Sequence, residues 1–166
     1  MTSLEKIQNK ILSPESLVYK LGVWRFQDKK IVFTNGCFDL LHLGHIDYLS
    51  KAADLGDVLI IGVNTDASVR KLKGLNRPIS DEKQRTHVLA SLFFVDAVIL
   101  FDEETPKELI RKIQPHVLVK GGDYTQDQVV GADTVTTNGG FVHIIPLLAG
   151  YSTTLTEEKI KKPRNA

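Results

Sequence analysis

The sequence predicts an α/β fold, a three-layer α/β/α sandwich around a mostly parallel five-stranded sheet. Two observations carry that prediction. Short, largely apolar runs at 31–33, 58–63, 96–101, 116–119 and 141–145 are bounded by turn-forming residues, the pattern of strands covered on both faces. Between them lie stretches with helical spacing of apolar residues, and strands separated by helices of that length pair in parallel through right-handed crossovers. Such sheets bind ligands outside the carboxyl ends of their strands, where the strand order reverses.

The elements follow in order. Leu4, Ile7, Ile11 and Leu12, then Leu17 and Val18, flank Ser13-Pro14, a helix cap and first helical residue. One or two amphipathic helices are expected there, a helical segment over 1–28 packed on a single domain over 29–166. Ile31, Val32 and Phe33 form the first strand, and Thr34, Asn35 and Gly36 are residues that let it stop and turn. Ile46, Leu49, Ala52 and Ala53 then recur at helical spacing up to Leu55, with Gly56 as the stop. A strand at 58–63 precedes a short helix at 66–73 and a longer one at 81–92 entered through Ser80. After the strand at 96–101, Thr105-Pro106-Lys107-Glu108 reads as a capping box with proline at the first helical position, opening a helix that ends before Pro115. The strand at 116–119, a helix at 127–137 closed by Gly139-Gly140, the strand at 141–145 and a helix at about 152–161 complete the pattern.

At 166 residues the chain is long enough for one domain with a real core, and 42% apolar with 25% charged residues is ordinary for a globular protein. A net charge of +1 gives no bulk attraction for nucleic acid or a membrane surface. No apolar run is long enough to span a bilayer, and the start, Met1-Thr2-Ser3-Leu4-Glu5-Lys6, lacks a signal peptide's basic end and apolar middle. The single cysteine, Cys37, excludes an internal disulfide and fits a reducing compartment. A cytoplasmic protein without nucleic-acid or membrane partners is expected.

The chemistry-bearing residues cluster at the strand ends. His42 and His45 are three apart around Gly44, at the start of the helix behind the first strand. First-turn amides lack internal partners and carry fractional positive charge, so phosphate oxygens are favoured there, with two imidazoles as added donors and Gly44 allowing close approach to the backbone. Ordinary helix histidines are the plain alternative, and a zinc site using Cys37, Asp39 and both histidines is another, at a looser spacing than structural zinc sites show. The second strand is followed by Asn64-Thr65-Asp66, and then Arg70, Lys71, Lys73-Gly74, Arg77-Pro78 and Arg85. These cations are either a solvated helix face or, for Lys73 and Arg77 beside glycine and proline, a phosphate-gripping loop. After the fourth strand, Lys120-Gly121-Gly122-Asp123-Tyr124 is either a plain turn or a place where backbone approaches a base or sugar, with Lys120 for a phosphate and Asp123 for hydroxyls. Gly150-Tyr151-Ser152-Thr153-Thr154 is either a helix cap or a hydroxyl clamp on terminal phosphates.

Gly36-Cys37-Phe38-Asp39 followed by His42-Leu43-Gly44-His45 resembles the signature of the cytidylyltransferase-like nucleotidyltransferase superfamily. With Asn-x-Asp, Lys-Gly-x-x-Arg-Pro, Lys-Gly-Gly-Asp-Tyr and Gly-x-Ser-Thr-Thr, the resemblance spans about 29–160 and is similar to the adenylyltransferase domain of bacterial ADP-heptose synthases. It implies a Rossmann-like fold and transfer of AMP from ATP to D-glycero-β-D-manno-heptose 1-phosphate, a step toward the lipopolysaccharide core. It implies phosphates over Thr34, Asn35 and the start of the histidine helix, within the Gly36, Cys37 and Phe38 turn. His42 and His45 would then stabilise the pentacoordinate state; Lys73 and Arg77 would hold the triphosphate or the incoming phosphate; Ser152, Thr153 and Thr154 would hold the pyrophosphate end. Asp66, Lys120, Gly121, Asp123 and Gly150 complete the expected nucleotide site, and Asp39 is read as structural. No dedicated metal ligands are expected, magnesium arriving on the ATP phosphates. That domain is often fused behind a sugar kinase, so a separate heptose kinase is expected upstream. Relatives tend to be dimers or larger, and the sequence does not fix the assembly. Cytidylyltransferases of glycerol 3-phosphate share the same motifs, though their loop carries Trp where Tyr124 stands, and a non-catalytic nucleotide-binding module on this fold is the alternative of another class.

Overall fold

The computed structural model describes residues 1–122 and 124–161. Its centre is a six-stranded sheet in which every pairing is parallel: β1 (Ile11–Leu12), β2 (Ile31–Gly36), β3 (Val58–Asn64), β4 (Ala97–Phe101), β5 (Val117–Gly121) and β6 (Phe141–Ile145), in the order β1-β4-β3-β2-β5-β6. All five expected strands are present. The sixth, β1, lies inside the segment read as helical. Two residues are too few to show any period, and only the neighbouring β4, whose Val98 amide donates to the Lys10 carbonyl at 2.8 Å, gives the pair its strand character.

The helices are α1 (Ser3–Gln8), α2 (Pro14–Phe26), α3 (Leu43–Ala53), α4 (Asp66–Lys73), α5 (Glu82–Ser91), α6 (Lys107–Ile113), α7 (Ala132–Thr137) and α8 (Thr153–Lys161). Alternate residues of β2 sort the layers, because successive strand side chains point to opposite faces. Ile31 and Phe33 pack with Leu17 and Leu21 of α2, Ile110 and Ile113 of α6, and Val135 of α7. Val32 packs with Leu49 and Ala52 of α3 and with Leu89 and Ala90 of α5. The sheet is thus covered on both sides, as expected of the sandwich.

Several helix boundaries differ from the sequence reading, each for a local reason. Asp81, not Ser80, caps α5, its carboxylate accepting from the Gln84 amide at 2.7 Å. Pro106 occupies the cap position of α6 without a side-chain cap bond, so the expected box at Thr105 does not form. The helix expected over 127–137 is broken: a 3₁₀ turn (Gln126–Gln128) precedes Gly131 at φ 86°, a left-handed conformation that cannot lie inside an α-helix, and α7 starts after it.

The most consequential feature is where β2 and β5 part. They pair only at Val32↔Val117 and Phe33↔Leu118, after which β2 follows β3 to Gly36↔Val63 and β5 follows β6 to Gly121↔Ile145. Thr34, Asn35 and Gly36, read as residues that end the strand, therefore extend it, and the sheet forks at its carboxyl edge. Strand order also reverses here, since the chain leaves β2 for β3 and β4 on one side and returns as β5 on the other.

Candidate active site

Tyr48, on the second turn of α3, plugs the base of the fork. Its hydroxyl pairs with Thr34 Oγ1 and donates to the Val119 carbonyl at 3.2 Å, joining the two diverging strands. Burial pushes the Tyr48 phenol up to about 12, so it stays a neutral donor. Above it lies a cavity of about 170 Å³ walled by Asn35, Gly36, Cys37, Phe38, His45 and Lys73 on one side and by Lys120, Gly121, Leu147 and Thr153 on the other.

α3 begins at the mouth of this cavity. His42 is its N-cap, in extended conformation and making no side-chain cap bond, and His45 lies in the first turn. The two imidazoles stack at 3.8 Å between centroids and 28° between planes, and the Phe38 ring meets His45 edge-on at 5.4 Å. The Nδ1 atoms of both histidines are buried without a hydrogen-bond partner among the described residues. Burial, the neighbouring His42 and then Lys73 lower the His45 pKa to about 4, and burial lowers that of His42. Both rings are therefore neutral at pH 7, and stacking at this distance opposes charging the pair.

That shift has a measurable consequence. Between about pH 6.5, the ordinary imidazole value, and about 4, the unfolded chain holds a proton at His45 that the folded chain does not. Stability is therefore constant above this window and falls as the pH is lowered through it. Denaturation midpoints followed against pH should show this slope in the wild type and a shallower one in His45→Ala. Asp39 titrates in a separate window, below its ordinary 3.8, because hydrogen bonds outweigh the effect of its burial.

Two glycines make room for the rings. A Cβ on Gly44 would stand 3.1 Å from His42 ring atoms and 3.2 Å from Tyr151 Cβ, and one on Gly36 would stand 3.0 Å from the Phe38 ring. Beside the backbone approach expected of it, Gly44 makes room for His42 to fold back over the helix end. Gly44→Ala should displace the imidazole and cut activity severalfold or more while the melting temperature changes little, as activity and melting curves on one preparation would show.

The remaining expected residues divide. Asn35, Gly36, Cys37, Phe38, Lys73, Lys120, Gly121 and Thr153 share the cavity wall. Lys73 is the last residue of α4, with the turn at Gly74 (φ 95°) following. Lys120 is half-buried, which lowers its pKa, and its ammonium lies over the Tyr124 ring at 5.6 Å. Burial also raises the Cys37 thiol, despite the lysines nearby.

Other expected residues are engaged elsewhere. Thr34 is fully buried with its hydroxyl spent on Tyr48. Asp66 accepts from Arg85 at 2.8 Å. Arg77, expected to grip phosphate, is held between Asp39, at 2.7 Å, and Glu157 of α8. Ser152 caps α8, its hydroxyl accepting from the Leu155 amide at 3.1 Å, Thr154 is exposed, and Gly150 sits in a turn at φ 84°. Asp123 lies outside the described residues. Asp39 has the structural character expected of it: one carboxylate oxygen accepts from Arg77 and the other from the Ile79 and Ser80 amides. With Asp39 so engaged and the Cys37 thiol turned to Asn64, the proposed zinc ligands do not converge, and no group of three or more His, Cys, Asp or Glu among the described residues could hold a metal ion.

Sequence reasoning missed Tyr48 and did not give Arg85 its role. Arg85 is 2% exposed and spans three segments, donating to the Ser80 carbonyl at 3.0 Å, the Cys37 carbonyl at 2.7 Å and Asp66. The signal was present in helical spacing: Arg85, Thr86, Leu89 and Ala90 form the buried face of α5, so an arginine stood at a core position. A larger hollow of about 670 Å³ at the end of β4 is lined by Asp102, Glu103, Glu104 and Glu108, which outnumber Lys71 and Lys112 and make it less suited to a phosphate than the forked site.

A Cytidylyltransferase-like family model matches residues 33–159, which takes in the fork, both histidines and most of α8. The chain belongs to the cytidylyltransferase-like family. Among proteins resembling this cytidylyltransferase-like chain, the bifunctional protein HldE of Syntrophotalea carbinolica is 54% identical over 152 residues, covering 92% of the chain and 31% of that protein. The bifunctional protein HldE of Geotalea uraniireducens is 51% identical with the same coverage. The chain thus spans about a third of the length of the curated relatives it matches. A solved structure, that of the lipopolysaccharide core biosynthesis protein from Thermoplasma volcanium GSS1, aligns with TM-score 0.60 at 29% identity, covering 72% of this chain and 97% of that one. No helix among the described residues is long and apolar enough to cross a membrane.

Proposed function

We propose that this chain is an adenylyltransferase that joins AMP from ATP to D-glycero-β-D-manno-heptose 1-phosphate, giving ADP-heptose and pyrophosphate for the lipopolysaccharide core in the cytoplasm. The observation that carries the transferase reading is the pair of stacked, neutral imidazoles at the amino end of α3, with orphaned nitrogens beside a forked sheet and two lysines. A buried nitrogen without a partner costs about 1–3 kcal/mol, which a phosphate oxygen would repay. Membership of the family supports nucleotidyl transfer, and the likeness to HldE proteins supports the acceptor.

The reaction needs positioning more than acid–base chemistry. A phosphate oxygen of the sugar phosphate, already anionic at neutral pH, attacks the α-phosphorus; the bond from that phosphorus to the bridging oxygen breaks, and pyrophosphate leaves with its electron pair. Neutral His42 and His45 donate hydrogen bonds to the phosphoryl oxygens as charge builds, while Lys73 and Lys120 offset that charge from opposite walls. Magnesium would supply further neutralisation of the triphosphate. With Asp39 committed to Arg77 and backbone amides, the ion would be held by phosphate oxygens rather than by a protein cage.

Pyrophosphate release measured with ATP and with CTP, each against heptose 1-phosphate and glycerol 3-phosphate, tests the proposal. Turnover is expected with ATP and heptose 1-phosphate. Turnover confined to CTP and glycerol 3-phosphate would replace the acceptor and base, and binding of nucleotide without turnover on any pair would make the chain a binding module.

A further inference from the structure

The pairs Val32↔Val117 and Phe33↔Leu118 would put Thr34 opposite Val119 at the next rung, but there β2 and β5 part. Tyr48 reaches in from α3 and takes the place of that rung. Its hydroxyl is bonded both to Thr34 Oγ1 and to the Val119 carbonyl. A phenol has one proton, which goes to the carbonyl, so the Thr34 hydroxyl must donate to the phenol oxygen. The bonds therefore run one way, from Thr34 through Tyr48 to Val119. The buried ring is a spacer as well, since a Cβ on Gly121 would stand 3.1 Å from Tyr48 Cε2. One side chain both ties the strands together and holds them apart.

What the tie holds is the cavity. Asn35, Gly36 and Cys37 follow Thr34 on one wall, and Lys120 and Gly121 follow Val119 on the other. The carbonyl that accepts from Tyr48 belongs to the planar peptide joining Val119 to Lys120, so the bond fixes the direction in which the Lys120 side chain departs. His45 stands three residues before Tyr48 on the same face of α3. β2, α3 and β5 are thus referred to a single oxygen atom.

We propose that Tyr48 is a positioning residue, which sets the width of the fork and so the reach of Lys120 toward phosphates met from the other side by His45 and Lys73. The role rests on the adenylyl-transfer reading of this cavity. A lysine side chain is mobile, so a bound triphosphate can still be met across a slightly wider fork. The pentacoordinate state needs every donor in place at once, and a displacement of about 1 Å can cost roughly 10²-fold in rate. Loss of the hydroxyl should therefore fall on kcat rather than on KM.

Tyr48→Phe keeps the ring on Gly121 and deletes only the tie. Its kcat should fall by about tenfold to a hundredfold, with KM for ATP within about threefold of wild type and the melting temperature lower by only a few degrees. Thr34→Val cuts the same chain of bonds at its other end and carries the same expectation, so the test survives a Tyr48→Phe protein that does not fold. Lys120→Ala supplies the reading that a merely structural tie would not give. In that background Tyr48→Phe should lower kcat by less than about twofold, there being no ammonium left to place. A wild type that turns over no pair of nucleotide and acceptor removes the transfer reading and this role with it. An active wild type with near-normal kcat in Tyr48→Phe and Thr34→Val, or with losses that multiply in the Lys120→Ala background, overturns the positioning role alone.

Discussion

His45→Ala is expected to slow pyrophosphate release by roughly 10²–10³-fold, the loss seen when one preorganised donor to a developing phosphoryl or acyl oxyanion is removed. The fold should scarcely register the change. The imidazole packs against Phe38 and His42, contacts that alanine forfeits, but its Nδ1 is a buried polar atom without a partner, a cost that alanine relieves. These effects oppose, and the net change in unfolding free energy should stay within about 1 kcal/mol. Because burial and the neighbouring ring hold His45 near a pKa of about 4, the ring acts as a neutral donor, and turnover of the wild type should not require its protonation between pH 6 and 8. Steady-state rates for wild type and variant, with denaturant unfolding of both, check the prediction. Near-normal turnover in the variant would remove the role assigned to His45.

Arg85→Ala is expected to destabilise the protein by about 3–5 kcal/mol, the usual result of removing one member of a buried, hydrogen-bonded charge pair. The argument rests on what is left behind. Asp66, itself partly exposed, loses its guanidinium, and the carbonyls of Ser80 and Cys37 lose their donors at a buried or half-buried position. Arg85→Lys should rescue only part of the loss, since one ammonium cannot reproduce a planar fork reaching three acceptors in different directions. The Cys37 carbonyl belongs to the turn that leads to Phe38, held at φ 49°, and Phe38 in turn packs on His45. A non-glycine residue in that conformation persists only when its surroundings impose it. Both variants should therefore lose activity at temperatures where they remain folded. An Arg85→Ala protein within about 1 kcal/mol of wild type would show that the network is not holding the turn.

Much of the architecture was legible because it rests on local periodicity. The apolar runs at 58–63 and 141–145 could only be strands once helices stood between them, and β3, buried throughout, and the edge strand β6 appear there. Ser13-Pro14 announced α2 by cap chemistry alone, and the structure has Ser13 at the cap and Pro14 at the first helical position. β1 was not legible, because two residues owe their conformation wholly to the β4 edge beside them. The break at Gly131 was hidden for a related reason: a glycine within a helix-like pattern carries no mark of its φ until packing selects one.

For the site, the amino-acid order alone settled which residue types stand near which strand ends: paired histidines at the start of a helix, lysines at the ends of α4 and β5, hydroxyls at the start of α8. Spacing along the chain is enough for that, since topology carries every strand terminus to the same edge. Which of those groups is free to meet a ligand was decided only in three dimensions. Arg77 and Lys73 look equivalent as cations beside turn residues, yet Arg77 is bound by carboxylates from two remote segments and Lys73 is not paired in the same way. Thr34 looks like a phosphate ligand until Tyr48 takes its hydroxyl at the fork. Partners of this kind lie 14 to 80 residues away in the chain, and a side chain's availability depends on those distant neighbours rather than on its own place in the sequence.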